Sequence, residues 1–142
     1  IVFLVIASSN GKSFEEIDIF DGDIKIYKSA SCGGCGIYAN YFQRKGNSDT
    51  EVLDLVDLDS LKKDYGIPSA MGSCHTTIIG DYFVEGHVPL AAVDKLLSNQ
   101  PDIDGIALPA MPAGSPGMPG IKREIFMIYG LDNGQAELFT SI

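Results

Sequence analysis

The chain has 142 residues, 45% of them apolar, enough for one domain with a real hydrophobic core and too many for wholesale disorder. Nineteen acids against ten bases leave a formal net charge of -9. A surface that acidic repels nucleic acid and anionic membrane, which sets both aside as partners.

The chain opens on an apolar run, Ile1–Ala7, before the spacer-like Ser8-Ser9-Asn10-Gly11-Lys12. The run reads as an ordinary strand, or as the end of a signal-peptide core or membrane anchor; the spacer favours the second. Alone it is too short to span a bilayer. Residues 1–22 are therefore assigned to an N-terminal segment and residues 23–142 to the domain. Membrane contact is expected only through that segment.

Asp23–Lys28 alternates apolar and polar residues with the period of a half-buried strand. Ile37, Tyr38, Tyr41 and Phe42 then recur at helical spacing, and Gly46 ends the helix. Thr50–Val56 is read as a strand covered on both faces. Asp57 caps a short helix with Leu58, Leu61 and Tyr65 on one side, stopped by Gly66 and Pro68. Strand, helix, strand of this length implies a right-handed crossover with parallel strands. Thr76–Ile79 and Tyr82–Glu85 form a hairpin about Gly80-Asp81, a pair suited to a type II′ turn. Val88-Pro89 opens a helix buried through Leu90, Val93, Leu96 and Leu97.

The succession β-α-β-α-β-β-α, with a parallel first half and an antiparallel second half, predicts an α/β fold of thioredoxin-like type. Its core ends near Leu108. Four of the seven prolines follow, between Leu108 and Gly120, in a Pro/Gly/Met-rich stretch that forms neither helix nor central strand. A long irregular loop in a compact domain is usually functional or disordered, and its two methionines favour order. Ile121–Tyr129 and Gln135–Thr140, joined around Asp132-Asn133-Gly134, predict a C-terminal β-hairpin.

The chemistry centres on Cys32-Gly33-Gly34-Cys35, where the first strand hands over to a helix. Unpaired N–H groups and the positive end of the helix dipole favour thiolate there. Two cysteines at this spacing bring both sulfurs to one point, as a disulfide or as two ligands on one metal. Three cysteines in all are too few for a disulfide framework. In thioredoxin-like folds the loop before the third strand packs on the dithiol and usually presents a cis-proline. Here that slot is Ser73-Cys74-His75-Thr76, without proline, so Cys74 and His75 are candidates to face Cys32 and Cys35. His87, beside a helix start, reads first as a capping group or one that orients a ligand. Three thiols and an imidazole suit tetrahedral zinc. Thioether sulfur instead favours Cu(I), if Met111 or Met118 reaches the thiols.

Taken together these residues resemble the CopG copper-resistance proteins. Members of that family carry Tyr-Lys-Ser-x-x-Cys-x-Cys-Cys, then Ser-Cys-His-Thr, Glu-Gly-His-Val-Pro and Gly-Met-Pro-x-Gly-Ser-Pro-Gly-Met. This chain has Tyr27-Lys28-Ser29 before Cys32, Ser73-Cys74-His75-Thr76, Glu85-Gly86-His87-Val88-Pro89, and Met111-Pro112-Ala113-Gly114-Ser115-Pro116-Gly117-Met118. The resemblance implies a thioredoxin-like fold, a location outside the cytoplasm, and copper held by cysteines with help from methionine. It makes Met118, and after it Met111, ligand candidates. It also implies another copper-handling protein as a partner beside the metal ion. The middle cysteine of the family string is Gly34 here, which removes a bridging thiolate and brings the motif back to Cys-x-x-Cys.

The resulting expectation is an extracytoplasmic Cu(I)-binding protein using Cys32, Cys35 and Cys74 with Met118 and a histidine, redox-responsive because metal competes with disulfide formation. A thiol–disulfide oxidoreductase, with Cys32 attacking and Cys35 resolving, is the enzymatic alternative. The missing proline counts against it. A zinc or iron–sulfur domain is the third.

Overall fold

A computed structural model of the chain describes residues 14–142. The expected signal or anchor run at residues 1–7 lies outside the described residues. The elements are α1 (Glu15–Asp18), β1 (Ile24–Lys28), α2 (Gly33–Lys45), β2 (Glu51–Asp54), α3 (Leu58–Asp64), a 3-10 turn at Ser69–Met71, β3 (His75–Ile79), β4 (Tyr82–Glu85), α4 (Leu90–Asn99), β5 (Gly105–Ala107), β6 (Met127–Asp132) and β7 (Gln135–Ser141). The result is a mixed α/β fold. Among the described residues seven strands join one sheet in the order β2-β1-β3-β4-β5-β6-β7.

Strand β1 is parallel to β2 and antiparallel to β3, which forms a hairpin with β4. This is the parallel half, antiparallel hairpin and closing helix α4 expected from the sequence. The period-two pattern of β1 sends Ile24 and Ile26 into a core with Tyr38 and Phe42 of α2 and Val93 and Leu96 of α4. On the opposite face Ile78, Phe83 and Leu131 form a smaller cluster, with Tyr65 and Met71 packed against it. The hinge residues behave as read: Asp57 accepts from the Ser60 amide at 3.1 Å, and Gly80 turns with φ 59°.

Strand β2 departs from its expectation. It lies at the sheet edge, with Glu51 and Asp54 exposed and only Val52 and Leu53 partly covered, so it is not a strand buried on both faces. Hydropathy reports apolar content; only the topology decides whether a neighbour covers it.

Besides the 3-10 turn at Ser69–Met71, two elements escaped the sequence. Helix α1 is a single turn held by Asp94 of α4, whose carboxylate accepts from the Glu16 and Ile17 amides at 3.0 and 3.3 Å, and Ile17 is fully buried. Strand β5 is three residues long, pairs parallel with β4, and carries the C-terminal hairpin into the main sheet through β6. Among the described residues no helix is long and apolar enough to cross a membrane.

Candidate metal centre

Four segments meet at one end of the sheet: the start of α2, the residues entering β3, the turn from β4 to α4, and the Pro/Gly loop. Cys32 stands at the N-cap of α2 in extended conformation, and Cys35 lies in the first turn, fully buried. Their sulfurs form a disulfide in this structure. Cys74 is free and half-buried. It arrives from the residue just before β3, so that the ligand atoms of Cys32, Cys35 and Cys74 lie within 4.8 Å of one another. The Cys35 sulfur is 3.4 Å from the Cys74 carbonyl oxygen.

Cys74 also faces two imidazoles. Its sulfur is 3.4 Å from His75 Nδ1 and 3.2 Å from His87 Nε2. A sulfur at ~2.3 Å and a nitrogen at ~2.0 Å from one tetrahedral ion lie about 3.5 Å apart. The observed spacings are therefore those of donors able to share an ion.

The loop settles the protonation of one ring. His87 Nδ1 is 2.7 Å from the Pro116 carbonyl, which can only accept. The proton thus sits on Nδ1, and the bare Nε2 points at Cys74, the orientation a metal-ligating histidine takes. Burial pushes both imidazoles down: His75 to about 3, helped by the neighbouring His87, and His87 less, the Pro116 bond opposing the shift. Both rings are neutral at neutral pH and offer lone pairs. Burial pushes the Cys74 thiol up against a weaker pull from Ser73, so a metal must displace its proton. Tyr38 walls the site, its ring 4.5 Å from that of His75 and edge-on to His87 at 5.7 Å, with its hydroxyl donating to the Val88 carbonyl at 2.7 Å.

Behind the thiols is a network that sequence reasoning missed. Glu85 of β4 is fully buried and paired with Lys62 of α3. Its carboxylate also accepts from the Thr76 hydroxyl at 2.5 Å and the Ser73 amide at 2.8 Å. The Ser73 contact ties the backbone next to Cys74 to β4. Only the short Glu85-Gly86-His87 string, with an acid directly before a turn glycine, offered a signal for it.

The structure thus gathers Cys32, Cys35, Cys74, His75 and His87. The loop over them carries Met118, half-buried, one residue after Gly117. Met111 stands at the loop's outer end, 43% exposed, with φ 44°. Gly117 has φ 84°, and a Cβ on it would sit 2.9 Å from the Gly34 carbonyl oxygen and 3.0 Å from His87 Nδ1. Gly117→Ala is expected to lower stability by about 1–3 kcal/mol and to weaken metal binding by displacing the Pro116–His87 bond, read by thermal unfolding and metal titration. Gly120→Ala is the control: φ is 95° but the nearest atom, in Ala113, is 3.3 Å away. It should lose stability without losing affinity.

Fold and cluster together define a mixed α/β protein whose loops converge a Cys/His donor set of metal-binding type. Residues 71–118 match a family described as "Protein of unknown function, DUF411", spanning both histidines and the loop. The solved structure titled "Copper resistance protein copG- Form 2" is 36% identical, with a TM-score of 0.73, covering 84% of this chain and 97% of that one. "Copper resistance protein copG- Form 1" is 37% identical, with a TM-score of 0.72, covering 84% and 96%. Among curated proteins none matches the chain. The chain belongs to the CopG copper-resistance family.

Proposed function

We propose that this protein binds Cu(I) in copper handling outside the cytoplasm, on a thioredoxin-like core. Cys32, Cys35 and Cys74 supply thiolates, and His87 and Met118 complete or line the site. The observation that carries this reading is the approach of Cys74 to the dithiol, three soft donors within 4.8 Å. The kinship with copper-resistance proteins supports the choice of metal. With glycine at position 34 the site lacks a bridging thiolate, and one ion per chain is the expected stoichiometry.

The Cys32–Cys35 disulfide must first be opened, an external dithiol supplying two electrons and two protons, before those sulfurs can bind. Cu(I) occupancy of the three-thiolate site and disulfide formation therefore exclude each other, and that site responds to redox conditions. The partner in this scheme is another copper-handling protein that donates or accepts the ion.

Anaerobic Cu(I) titration of the reduced protein against a competing chelator tests the reading. Cys35→Ser and Cys74→Ser should each weaken binding by more than the roughly 10–100-fold typical of losing an outer hydrogen-bond partner. Unchanged affinity in either variant overturns the site. Zinc is the competing occupant, and titration with zinc under the same conditions ranks the two.

A further inference from the structure

Cys74 belongs to two overlapping donor groups, and only one of them needs the dithiol. The first is Cys32, Cys35 and Cys74; the second is Cys74, His75 and His87. Once Cys32 and Cys35 are joined, their sulfurs lose the thiolate charge that makes cysteine a strong ligand. Cys74 remains free, still 3.4 Å from one imidazole nitrogen and 3.2 Å from another.

We propose that the disulfide form carries a metal site of its own, Cys74–His75–His87, which takes Cu(II), so that the state of the dithiol selects between a three-sulfur site for cuprous ion and a one-sulfur, two-nitrogen site for cupric ion. The choice of copper rests on the proposed function above; the geometry does not.

Apart from the Cys35 sulfur 3.4 Å from the Cys74 carbonyl oxygen, the contacts that position the second group do not involve Cys32 or Cys35. His87 is oriented by the Pro116 carbonyl. His75 is fixed by strand register, opposite Lys28 of β1, and by the Gly86 amide donating to its carbonyl at 3.2 Å. Cys74 is set by the Ser73 amide bonded to buried Glu85. Tyr38 covers both rings and keeps the site dry on one side.

Donor chemistry then separates the two groups. Three thiolates stabilise soft Cu(I), whereas imidazole nitrogens accommodate Cu(II). Two histidines and one cysteine in a trigonal array, with a weak axial thioether, form a cupric electron-transfer geometry. Met118, half-buried and two residues after Pro116 in the same loop, is the thioether nearest in sequence to that position.

The experiment uses the disulfide-intact protein without reductant. It is titrated first with Co(II), which does not oxidise thiols, and then with Cu(II). One equivalent should bind, with thiolate-to-metal charge-transfer absorption for both ions and the strong ligand-field bands of four-coordinate cobalt. The Cys32→Ser/Cys35→Ser double variant should keep these spectra while losing its Cu(I) affinity. Cys74→Ser and His87→Gln should each abolish or shift them, with circular dichroism checking the fold, and the two variants substitute for each other if one fails to fold. Loss of the spectra in the double variant, or no change in Cys74→Ser or His87→Gln, overturns the proposal. Failure of the reduced protein to hold Cu(I) would instead remove the reading above and leave the oxidised site standing.

Discussion

Acidifying the metal-free protein below about pH 6.5 is expected to cost it as much as about 5 kcal/mol by pH 3, at roughly 1.4 kcal/mol for each pH unit separating the folded and unfolded titrations. The cause is His75, held down to about 3 from its ordinary 6.5 chiefly by burial. As pH falls through 6.5 the unfolded chain takes up a proton that the folded ring refuses. Stability that is complete above the unfolded value is therefore lost progressively, until the folded ring titrates near 3. His87, also pushed down by burial, acts in the same direction. Glu85 acts against it. Burial raises its carboxyl despite Lys62, so the folded state takes up that proton before the unfolded chain does, and acid relieves a cost. The two effects separate because the unfolded histidines titrate first. Urea denaturation in chelator at pH 7.5, 6 and 5 should show a falling midpoint, and His75→Phe should flatten it. A midpoint constant across that range would contradict the burial of a neutral imidazole.

Much of the frame was legible because it rests on local rules. Ile24 and Ile26 announce their strand by alternation, Asp57 its helix by capping, and Gly80 its hairpin by the turn it permits. The edge position of β2 was not legible, because no residue within Glu51–Asp54 records whether another strand lies beside it. Strand β5 was too short to show a period. At the site, the order of motifs was enough to bring Cys74 to the dithiol. The part played by His87 was hidden: it depends on a carbonyl 29 positions away, in a loop with no regular structure. Lys62 and Glu85, 23 positions apart on a helix and a strand, look like two ordinary surface charges until the fold buries one of them. What was missed is non-local polar pairing, which leaves no periodic trace in a single sequence.

Lys62→Met is expected to destabilise the protein by about 3–5 kcal/mol, since it leaves the buried Glu85 carboxylate without its counter-charge. Thr76 and the Ser73 amide would still donate to Glu85, but neutral donors do not offset a full charge removed from water. Glu85→Gln should cost less, because an amide oxygen accepts one of those bonds and carries no charge. Adding Glu85→Leu to Lys62→Met should recover much of the loss, as apolar replacement of a buried pair commonly does. The sign with pH is fixed. Without Lys62 the Glu85 carboxyl rises further, so the variant's deficit should be larger at pH 8 than at pH 5, where protonation relieves it. The Lys62→Met/Glu85→Leu double variant should weaken the proposed Cu(I) binding even where its stability recovers, because it removes the carboxylate that holds the Ser73 amide and through it the backbone that aims Cys74. Chemical denaturation of the four members of the double-mutant cycle measures the coupling. A Lys62→Met protein as stable as the parent, with no difference between the two pH values, would mean that the charge on Glu85 is not what Lys62 compensates.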